Sequence, residues 1–440
     1  MELDLDPVRV GLLGLGTVGG GTVNVLTRNA EEITRRVGCA IKVTHASAKD
    51  LSRERICDTS AIELTTDSFA IVNNDEIDVV VELIGGDTLA KDLVIAAINN
   101  GKHVVTANKA LIALHGTEIF ALAQEKGVLV LFEAAVAGGI PIIKAIREGL
   151  SANKIEWLAG IINGTGNFIL TEMRDKGRDF ADVLAEAQAL GYAEADPTFD
   201  VEGIDAGHKL TILASIAFGI PLQFERLYHE GITEISQEDV QYAEELGYRI
   251  KHLGIARKTP AGIELRVHPA LIPEKRLLAN VDGVLNAVVV QGDAVGPSLY
   301  YGHGAGAEPT ASAVVADLID VVRNINCEPQ HLIPHLSFQS SSLSQEPILA
   351  IDSIVVPYYL RITVADNLGV LADVTNILSS QGINIEALIQ KEPRKAGTAV
   401  DVIIITSKAL ESKLDHSIAE IENLDTVIGN VNRIRLETLG

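Results

Sequence analysis

The feature that most constrains this chain is a glycine turn between a strand-like run and a helical run near the N-terminus. Val8 to Leu13 is apolar, and a helical stretch extends to about Asn29. The turn that begins this stretch consists of Gly14, Leu15, Gly16, Thr17, Val18 and Gly19. In this pattern the first glycine permits a tight turn, the second lets a pyrophosphate approach the backbone, and the third allows close helix–strand packing. The motif predicts dinucleotide binding; the alternative is a glycine-rich turn that holds no ligand.

Strand-like and helix-like segments alternate as far as about residue 135. Apolar runs typical of strands lie at Ile41–Ala46, Ile77–Ile84, His103–Ala107 and Val128–Phe132. Strands separated by helices indicate a parallel sheet covered on both faces, with its binding site at the carboxyl ends of the strands. We therefore predict an α/β fold whose first domain, 1–137, is a Rossmann-type doubly wound sheet.

Three residues at these strand ends are candidates for cofactor contacts. The second strand is followed by Lys49 and lacks the acid that would bind the ribose hydroxyl of NAD. Lys49 could pair with the 2′-phosphate of NADP, which favours NADP, or it could be an ordinary solvated cation. Thr106 and Lys109 follow a later strand, where they would meet cofactor or substrate; otherwise Lys109 merely starts the next helix.

A charged pair lies within an otherwise apolar helical stretch from Gly203 to Phe218. Asp205 and Lys209 are four residues apart and therefore share one face of this helix. A buried lysine needs a partner, and desolvation lowers its pKa toward the range in which it can exchange protons with a substrate oxygen. The pair is thus a candidate for acid–base chemistry, and the alternative is a structural ion pair. A single histidine is more often structural, so His208 is left out of the mechanism.

Composition excludes several other classes of function. The formal net charge of −23 would repel nucleic acid, so we expect no such partner. We also expect no membrane span, because no stretch approaches 18 consecutive apolar residues. Cys39, Cys57 and Cys327 are far apart, which argues against disulfides and fits a cytoplasmic location.

The last ninety residues, after a serine-rich segment, indicate a separate module. Strands and helices are predicted in the order β-α-β-β-α-β, with a turn at 393–397, which is a small sheet backed by two helices. The module resembles an ACT domain, a family that often binds amino acids. The N–H groups at its first helix start could receive an amino acid's carboxylate, and the candidate effector residues there are Asp366, Asn367, Gly369 and Val370. Threonine is the expected effector; the alternative is an oligomerisation module that binds nothing.

Four motifs occurring together resemble the homoserine dehydrogenase family. They are Gly14-x-Gly16-x-x-Gly19, Thr106-Ala107-Asn108-Lys109-Ala110, Gly160-Ile-Ile-Asn-Gly-Thr165, and Leu190-Gly-Tyr-Ala-Glu-Ala-Asp-Pro197 followed by Asp205-x-x-x-Lys209. The resemblance runs from about Val8 to Val322 and departs at Gly166, where the family usually has a bulkier polar residue.

The resemblance implies reduction of L-aspartate 4-semialdehyde to L-homoserine with NAD(P)H, in threonine, methionine and isoleucine biosynthesis. Lys209 would protonate the carbonyl oxygen, with Asp205 holding the lysine and Lys109 contacting the reacting region. Glu194 would bind the substrate ammonium group, and a carboxylate suits that task. The remaining implied substrate contacts are Gly164, Thr165 and Asp200. The resemblance also implies that Gly306 touches the cofactor.

The resemblance further implies a monovalent cation, usually sodium, held by oxygen ligands after the last Rossmann strand. The matching positions are Glu133, Val136, Gly138 and Ile140. From the residues alone this segment is only a strand-to-helix turn.

The predicted domains are 1–137, completed by 305–325; an α+β substrate and dimerisation domain at 138–304; a linker at 326–352; and a ferredoxin-like ACT domain at 353–440. We expect a homodimer or homotetramer. An aspartate-semialdehyde dehydrogenase would need an activated cysteine, and none of the three cysteines has such a setting. A nucleotide-sensing protein would not need Asp205 and Lys209.

Overall fold

The computed structural model describes residues 6–325, 327–328, 332–391 and 399–439. The chain divides into two compact units. Unit 1 comprises Met1–Leu158, His208–Glu225 and Leu285–Glu346, and unit 2 comprises Ala159–Gly207, Arg226–Val284 and Pro347–Gly440.

The strands are β1 Val8–Leu13, β2 Ile41–Ser47, β3 Glu63–Thr65, β4 Val79–Glu82, β5 His103–Thr106, β6 Val130–Leu131, β7 Ile155–Ile161, β8 Tyr228–His229, β9 Tyr248–Thr259, β10 Gly262–Pro273, β11 Leu285–Gly292, β12 Gly296–His303, β13 Val355–Val356, β14 Tyr358–Val364, β15 Ile385–Gln390, β16 Val400–Thr406, β17 Ala409–Leu410 and β18 Asn432–Leu436. The helices are α1 Thr17–Arg28, α2 Ala30–Val37, α3 Ser68–Val72, α4 Thr88–Asn99, α5 Lys109–Lys126, α6 Ile142–Lys144, α7 Gly164–Lys176, α8 Phe180–Ala189, α9 Thr198–Val201, α10 Ile204–Phe218, α11 Gln237–Glu245, α12 Ala307–Asn324, α13 Val370–Ser380 and α14 Glu411–Glu422. None of these helices has the combination of length and apolar character that a membrane span requires.

Six parallel strands form the sheet of unit 1 in the order β3-β2-β1-β4-β5-β6. Strands β4 and β5 are buried along their whole length, and their consecutive valines give the apolar runs in the sequence. The order reverses between β1 and β4, and this reversal is the usual position of a dinucleotide crevice. The predicted Rossmann-type sheet is confirmed.

Unit 1 also contains the antiparallel hairpin β11–β12 and the long helix α12. Helix α12 packs closely against α1: a Cβ on Gly21 would lie 2.6 Å from the Ala307 carbonyl oxygen. The sequence predicts a helix only from Ala311, whereas α12 begins at Ala307. The difference arises because Pro309 lies in the first turn, where a helix tolerates a residue without an N–H.

In unit 2, β9 and β10 form a hairpin of two 12-residue strands, and helices α7, α8 and α11 contribute to its apolar core. Helix α11 begins with a reciprocal cap in which Ser236 and Asp239 each bond the other's backbone N–H. A mixed sheet continues from β10 through β18, β14 and β16 to β15.

The C-terminal module has the predicted order, β14-α13-β15-β16-α14-β18, and its strands pair antiparallel. The predicted ACT-type fold is confirmed. The sequence predicts its last strand from Val427 to Leu436, and the strand is shorter, because Val427 forms only an isolated bridge to Val364 and regular pairing begins at Asn432. The turn predicted at 393–397 lies outside the described residues. The linker at 326–352 stays a prediction.

Candidate active site

The three motif glycines each have a geometric reason to be glycine. Gly14 has a φ of +96°, and a Cβ there would lie 2.7 Å from the Leu83 carbonyl oxygen. A Cβ on Gly19 would lie 2.1 Å from the carbonyl oxygen of Gly14, so only glycine allows this approach. At Gly16 a Cβ would meet no atom within 4 Å, which leaves the backbone open to a ligand. No side chain caps the first turn of α1, so its N–H groups are available to an anion.

An arginine that sequence reasoning missed lies against this turn. The Arg55 guanidinium donates to the carbonyl oxygen of Leu15 at 2.8 Å and also to that of Asp50. Lys49 lies close by in the chain, just after β2, and is exposed. Arg55 is 40 residues from Leu15 in a loop without periodicity, so no local signal could have identified it.

The carboxyl ends of β4 and β5 are joined by a buried carboxylate. Glu82 accepts a 2.6 Å hydrogen bond from the Thr106 hydroxyl, and it also accepts from the backbone N–H groups of Ile84 and Gly85. Burial raises the pKa of Glu82. Asn108 caps α5 by accepting from the Leu111 N–H, so Lys109 is the first residue of that helix.

Gly306 precedes α12 with a φ of +114°, as a glycine turn at a helix start requires. Thus unit 1 contains all ten predicted cofactor contacts: Gly14, Leu15, Gly16, Thr17, Val18, Gly19, Lys49, Thr106, Lys109 and Gly306.

In unit 2, Asn163 joins two predicted site carboxylates. Its amide nitrogen donates to Asp200 and to Asp205, each at 2.8 Å. Its amide oxygen accepts from the Gly166 N–H at 2.7 Å and thereby caps α7. Asp205 is only 3% exposed. Asn163 lies inside a motif that the sequence singled out, but its bridging role depends on contacts about 40 residues away.

Two other predicted substrate residues, Gly164 and Thr165, form the start of α7. The Thr165 hydroxyl donates to the Tyr192 carbonyl oxygen at 2.8 Å. Glu194 follows Tyr192 closely in the chain and is exposed. A Cβ on Gly164 would lie 2.8 Å from the Val284 carbonyl oxygen.

Helix α10 carries Asp205 in its first turn and Lys209 one turn later. This spacing puts both side chains on one face of the helix. Lys209 is partly exposed. His208 is buried and packs edge-on against Phe224, with ring centroids 4.3 Å apart, as expected for a structural histidine.

The predicted cation loop has an unusual backbone. Ala137 and Gly138 have φ values of +54° and +49°. The Glu133 side chain accepts from the N–H groups of Ile143 and Lys144, each at 2.8 Å, so it caps the start of α6 and the main-chain oxygens remain as the candidate ligands. Burial, and then the charge of Asp317, raises the pKa of Glu133 to about 7. Among the described residues no group of three or more His, Cys, Asp or Glu side chains could hold a metal.

The fold and its residues define a class of protein. A doubly wound sheet with an open glycine turn suits a dinucleotide, and a partly exposed lysine one helical turn after a buried carboxylate suits proton transfer. Together these are the parts of a nicotinamide-dependent oxidoreductase.

Comparison with known proteins identifies the family. Family models match as "Homoserine dehydrogenase, NAD binding domain" over residues 14–133, "Homoserine dehydrogenase" over 141–319 and "ACT domain" over 358–423. A homoserine dehydrogenase of Pseudomonas aeruginosa is 65% identical over 435 residues, which are 99% of this chain and 100% of that protein. The crystal structure of a homoserine dehydrogenase from Thiobacillus denitrificans is 63% identical with a TM-score of 0.93, covering 99% of both chains.

A hyperthermophilic archaeal homoserine dehydrogenase, solved in complex with NADPH, is 26% identical with a TM-score of 0.60, covering 72% of this chain and 97% of that one. The chain belongs to the homoserine dehydrogenase family. It is an NAD(P)-dependent oxidoreductase with an ACT domain. This family membership removes the semialdehyde-dehydrogenase and sensor alternatives.

Proposed function

We propose that Lys209 is the proton donor in the reduction of L-aspartate 4-semialdehyde. The reduced nicotinamide supplies a hydride to the carbonyl carbon when it is bound. The Lys209 ammonium gives its proton to the carbonyl oxygen, and the resulting amine takes that proton back in the reverse direction. The observation that carries this proposal is the Asn163 bridge, because it fixes Asp205 one helical turn before the lysine.

The remaining substrate contacts follow from the charge of the substrate. We propose that Glu194 binds its ammonium group, since an exposed carboxylate can do so without losing a buried partner. Asp200, Gly164 and Thr165 are proposed to line the same pocket, and Lys109 to contact both cofactor and reacting region.

Steady-state kinetics with purified protein test the roles of Lys209 and Asp205. Lys209→Ala is expected to abolish loss of reduced-cofactor absorbance with aspartate semialdehyde, while NADPH binding, followed by fluorescence, stays near that of the wild type. Asp205→Asn should lower turnover less severely. The matched control is Lys126→Ala at the exposed end of α5, which should behave as wild type. Normal turnover in Lys209→Ala would remove this lysine from the mechanism.

We propose that NADP is the preferred cofactor. Lys49 and Arg55 are two cations near the end of β2, where a 2′-phosphate is recognised in this fold. Lys49→Ala and Arg55→Ala are expected to weaken binding of 2′,5′-ADP more than binding of 5′-AMP, measured by calorimetry. Arg53→Ala, in the same loop, is the matched control. Equal losses for both nucleotides would contradict the preference.

We propose a sodium site on the main-chain oxygens of Glu133, Val136, Gly138 and Ile140. Hard cations favour oxygen ligands, and the left-handed backbone at Ala137 and Gly138 gives this loop a conformation unlike that of an ordinary helix start. Replacing sodium by tetramethylammonium at constant ionic strength is expected to lower turnover reversibly. A flat response would argue against a functional cation.

We propose that the ACT domain binds an amino acid at the turn before α13. Gly369 has a φ of +96° and no side chain caps this helix start, so its N–H groups could bind a carboxylate. The proposed contacts are Asp366, Asn367, Gly369 and Val370. Threonine titration by calorimetry, with Asp366→Ala as the comparison, tests binding separately from feedback inhibition. Absence of heat and of inhibition would leave this turn without an effector.

The quaternary state is proposed to be a homodimer or homotetramer. Strand β12 supports this proposal because it exposes Leu299 and Tyr301, which are 37% and 56% exposed. Light scattering will give the mass in solution, and a monomer at assay concentration would contradict it. The cytoplasmic location and the biosynthetic pathways stay predictions.

A further inference from the structure

The last strand of the chain belongs to the substrate part of unit 2 as much as to the ACT module. Strand β18 pairs in parallel with β10, where Ala270 lies opposite Arg435. On its other side it pairs antiparallel with β14, where Tyr358 also lies opposite Arg435. Immediately after the strand, the Glu437 N–H donates to the Leu271 carbonyl oxygen at 2.9 Å. The backbone of β18 therefore forms hydrogen bonds with both the substrate part and the ACT module.

The two modules also share an apolar core. Residues of α7, α8 and α11 pack in one cluster with residues of the C-terminal sheet. The C-terminal members are Tyr359, Ile403, Ile405, Ile434 and Leu436. The opposite face of the C-terminal sheet packs separately against α13 and α14. The C-terminal sheet is thus covered on both faces, and the substrate part provides one of the two layers.

A fully buried arginine joins the modules at this seam. Arg435 is 0% exposed. Its Nε donates to Glu411 of α14 at 3.0 Å, and its Nη1 donates to Glu230, just after β8, at 2.7 Å. The guanidinium lies 5.2 Å from the ring centre of Tyr228. A charge buried in this way is retained only because each partner is in place.

Glu230 lies in a segment that is bonded to the turn before the proposed catalytic helix. The Glu230 carbonyl oxygen is 2.9 Å from Nε2 of His252, whose ring is buried. A Cβ on Gly203 would lie 3.1 Å from His252 Cε1, so the histidine supports the turn directly. Two residues beyond Glu230, the Ile232 N–H donates to the Val201 carbonyl oxygen at 2.9 Å.

This turn connects α9 to α10. It carries Asp200 at one end and Asp205 at the other, and these are the two carboxylates that Asn163 bridges. We infer that Arg435 and Glu230 are positioning residues for that turn, so the C-terminal strand is a structural part of the substrate site. The inference rests on the roles proposed above, in which Asp200 lines the substrate pocket and Asp205 holds Lys209. It makes turnover depend on the C-terminal module even when no effector is bound.

The test uses the full chain without effector and compares kinetics at a temperature well below unfolding. Arg435→Lys keeps the charge but loses the forked geometry, and Glu230→Gln removes one charge. Each is expected to lower kcat/KM for aspartate semialdehyde by about tenfold to a hundredfold, because small misplacements of catalytic groups have effects of that size. The affinity for NADPH should stay within about twofold of the wild type, since the changes lie outside the cofactor contacts.

The matched control is Arg361→Lys. Arg361 pairs with Asp239 across the same seam through bonds of 2.7 and 3.1 Å, but Asp239 belongs to α11 and not to the 228–232 segment. This control should lose comparable thermal stability and keep its kcat/KM for the semialdehyde. If Arg435→Lys does not fold, Glu230→Gln alone decides the question.

Two outcomes separate the inference from the proposed function. If Asp200→Asn and Asp205→Asn lower kcat/KM but folded Arg435→Lys and Glu230→Gln do not, the positioning role is wrong and the substrate role stands. If neither aspartate variant changes the kinetics, the substrate role itself fails. Non-additive losses in the Arg435→Lys/Glu230→Gln double variant would support a single connected path.

Discussion

Replacing Asn163 is the most informative single perturbation, because this side chain holds three elements of unit 2. Its oxygen caps α7, and its nitrogen donates to Asp200 and Asp205. Asn163→Ala removes the cap, which is worth about 1 kcal/mol. It also removes two hydrogen bonds to charged groups, worth about 1.5–3 kcal/mol each. Asp205 is 3% exposed, so the hydrogen bond to Asp205 should contribute an energy near the upper end of this range. Asp200 is partly exposed, so the hydrogen bond to Asp200 should contribute an energy near the lower end.

The expected total loss for Asn163→Ala is therefore about 4–6 kcal/mol in the free energy of unfolding of unit 2. For a unit of this size that corresponds to a decrease in Tm of roughly 10 °C or more, measurable by calorimetry. Asn163→Ser keeps the capping oxygen and should recover only about 1 kcal/mol. Asn163→Asp is nearly isosteric but turns a donor into a third carboxylate, so its stability should decrease further as that group ionises.

Steady-state kinetics complete the experiment. All three variants should lower kcat/KM for aspartate semialdehyde and leave NADPH affinity unchanged. Asn163→Asp should recover part of its stability as the pH falls and one carboxylate takes up a proton. The reasoning is refuted if Asn163→Asp matches the wild type in both Tm and kcat/KM at neutral pH, because a carboxylate cannot donate to the two aspartates.

Three further changes test other parts of the molecule. Gly19→Ala places a Cβ 2.1 Å from the Gly14 carbonyl oxygen, so NADPH binding measured by fluorescence should be lost or much weaker, and wild-type affinity would contradict the packing role. Burial lowers the pKa of His335 to about 4, below the ordinary value of 6.5, so its contribution to stability is complete above pH 6.5 and is lost as the pH falls toward 4. Between pH 6.5 and pH 4 the wild type should therefore lose about 3 kcal/mol of unfolding free energy, measured by urea titration. His335→Phe should flatten this pH dependence, and an equally steep curve would exclude His335 as its source. Arg266→Met leaves the buried Glu264 and Glu437 without the guanidinium that pairs with them at 2.9 and 2.6 Å and should cost about 3–5 kcal/mol, whereas adding Glu264→Gln and Glu437→Gln should restore most of the stability; no recovery would contradict this pairing.

The parts of the fold that sequence predicts well are those whose cause is local. Gly14, Gly16 and Gly19 are spaced within one turn, where Gly19 packs against the Gly14 carbonyl oxygen and Gly16 leaves the backbone open. The buried strands β4 and β5 each contain consecutive valines, and such short apolar runs between helical segments identify strands directly. The same holds for the element order of the ACT module.

The parts that sequence could not predict depend on long-range pairing. Arg55 contacts Leu15 across 40 residues, and Asn163 reaches Asp205 across 42. Parallel pairing of β18 with β10 joins residues more than 160 positions apart. The sequence of an apolar strand does not indicate which other strand it will pair with. The cation loop could not be recognised from sequence for another reason: its candidate ligands are main-chain oxygens, which every residue has.

The shared strand also bears on how an ACT module can influence a distant reaction. The proposed effector turn follows β14, and the first part of β14, from Tyr358 to Arg361, pairs with β18. Arg435 on β18 then contacts Glu230, whose neighbours bond the turn before α10. Closely packed elements transmit displacement because they cannot deform continuously. A ligand that moved β14 would therefore act on the Asp200–Asp205 turn through the strand and ion pairs that position it, and no separate hinge would be required.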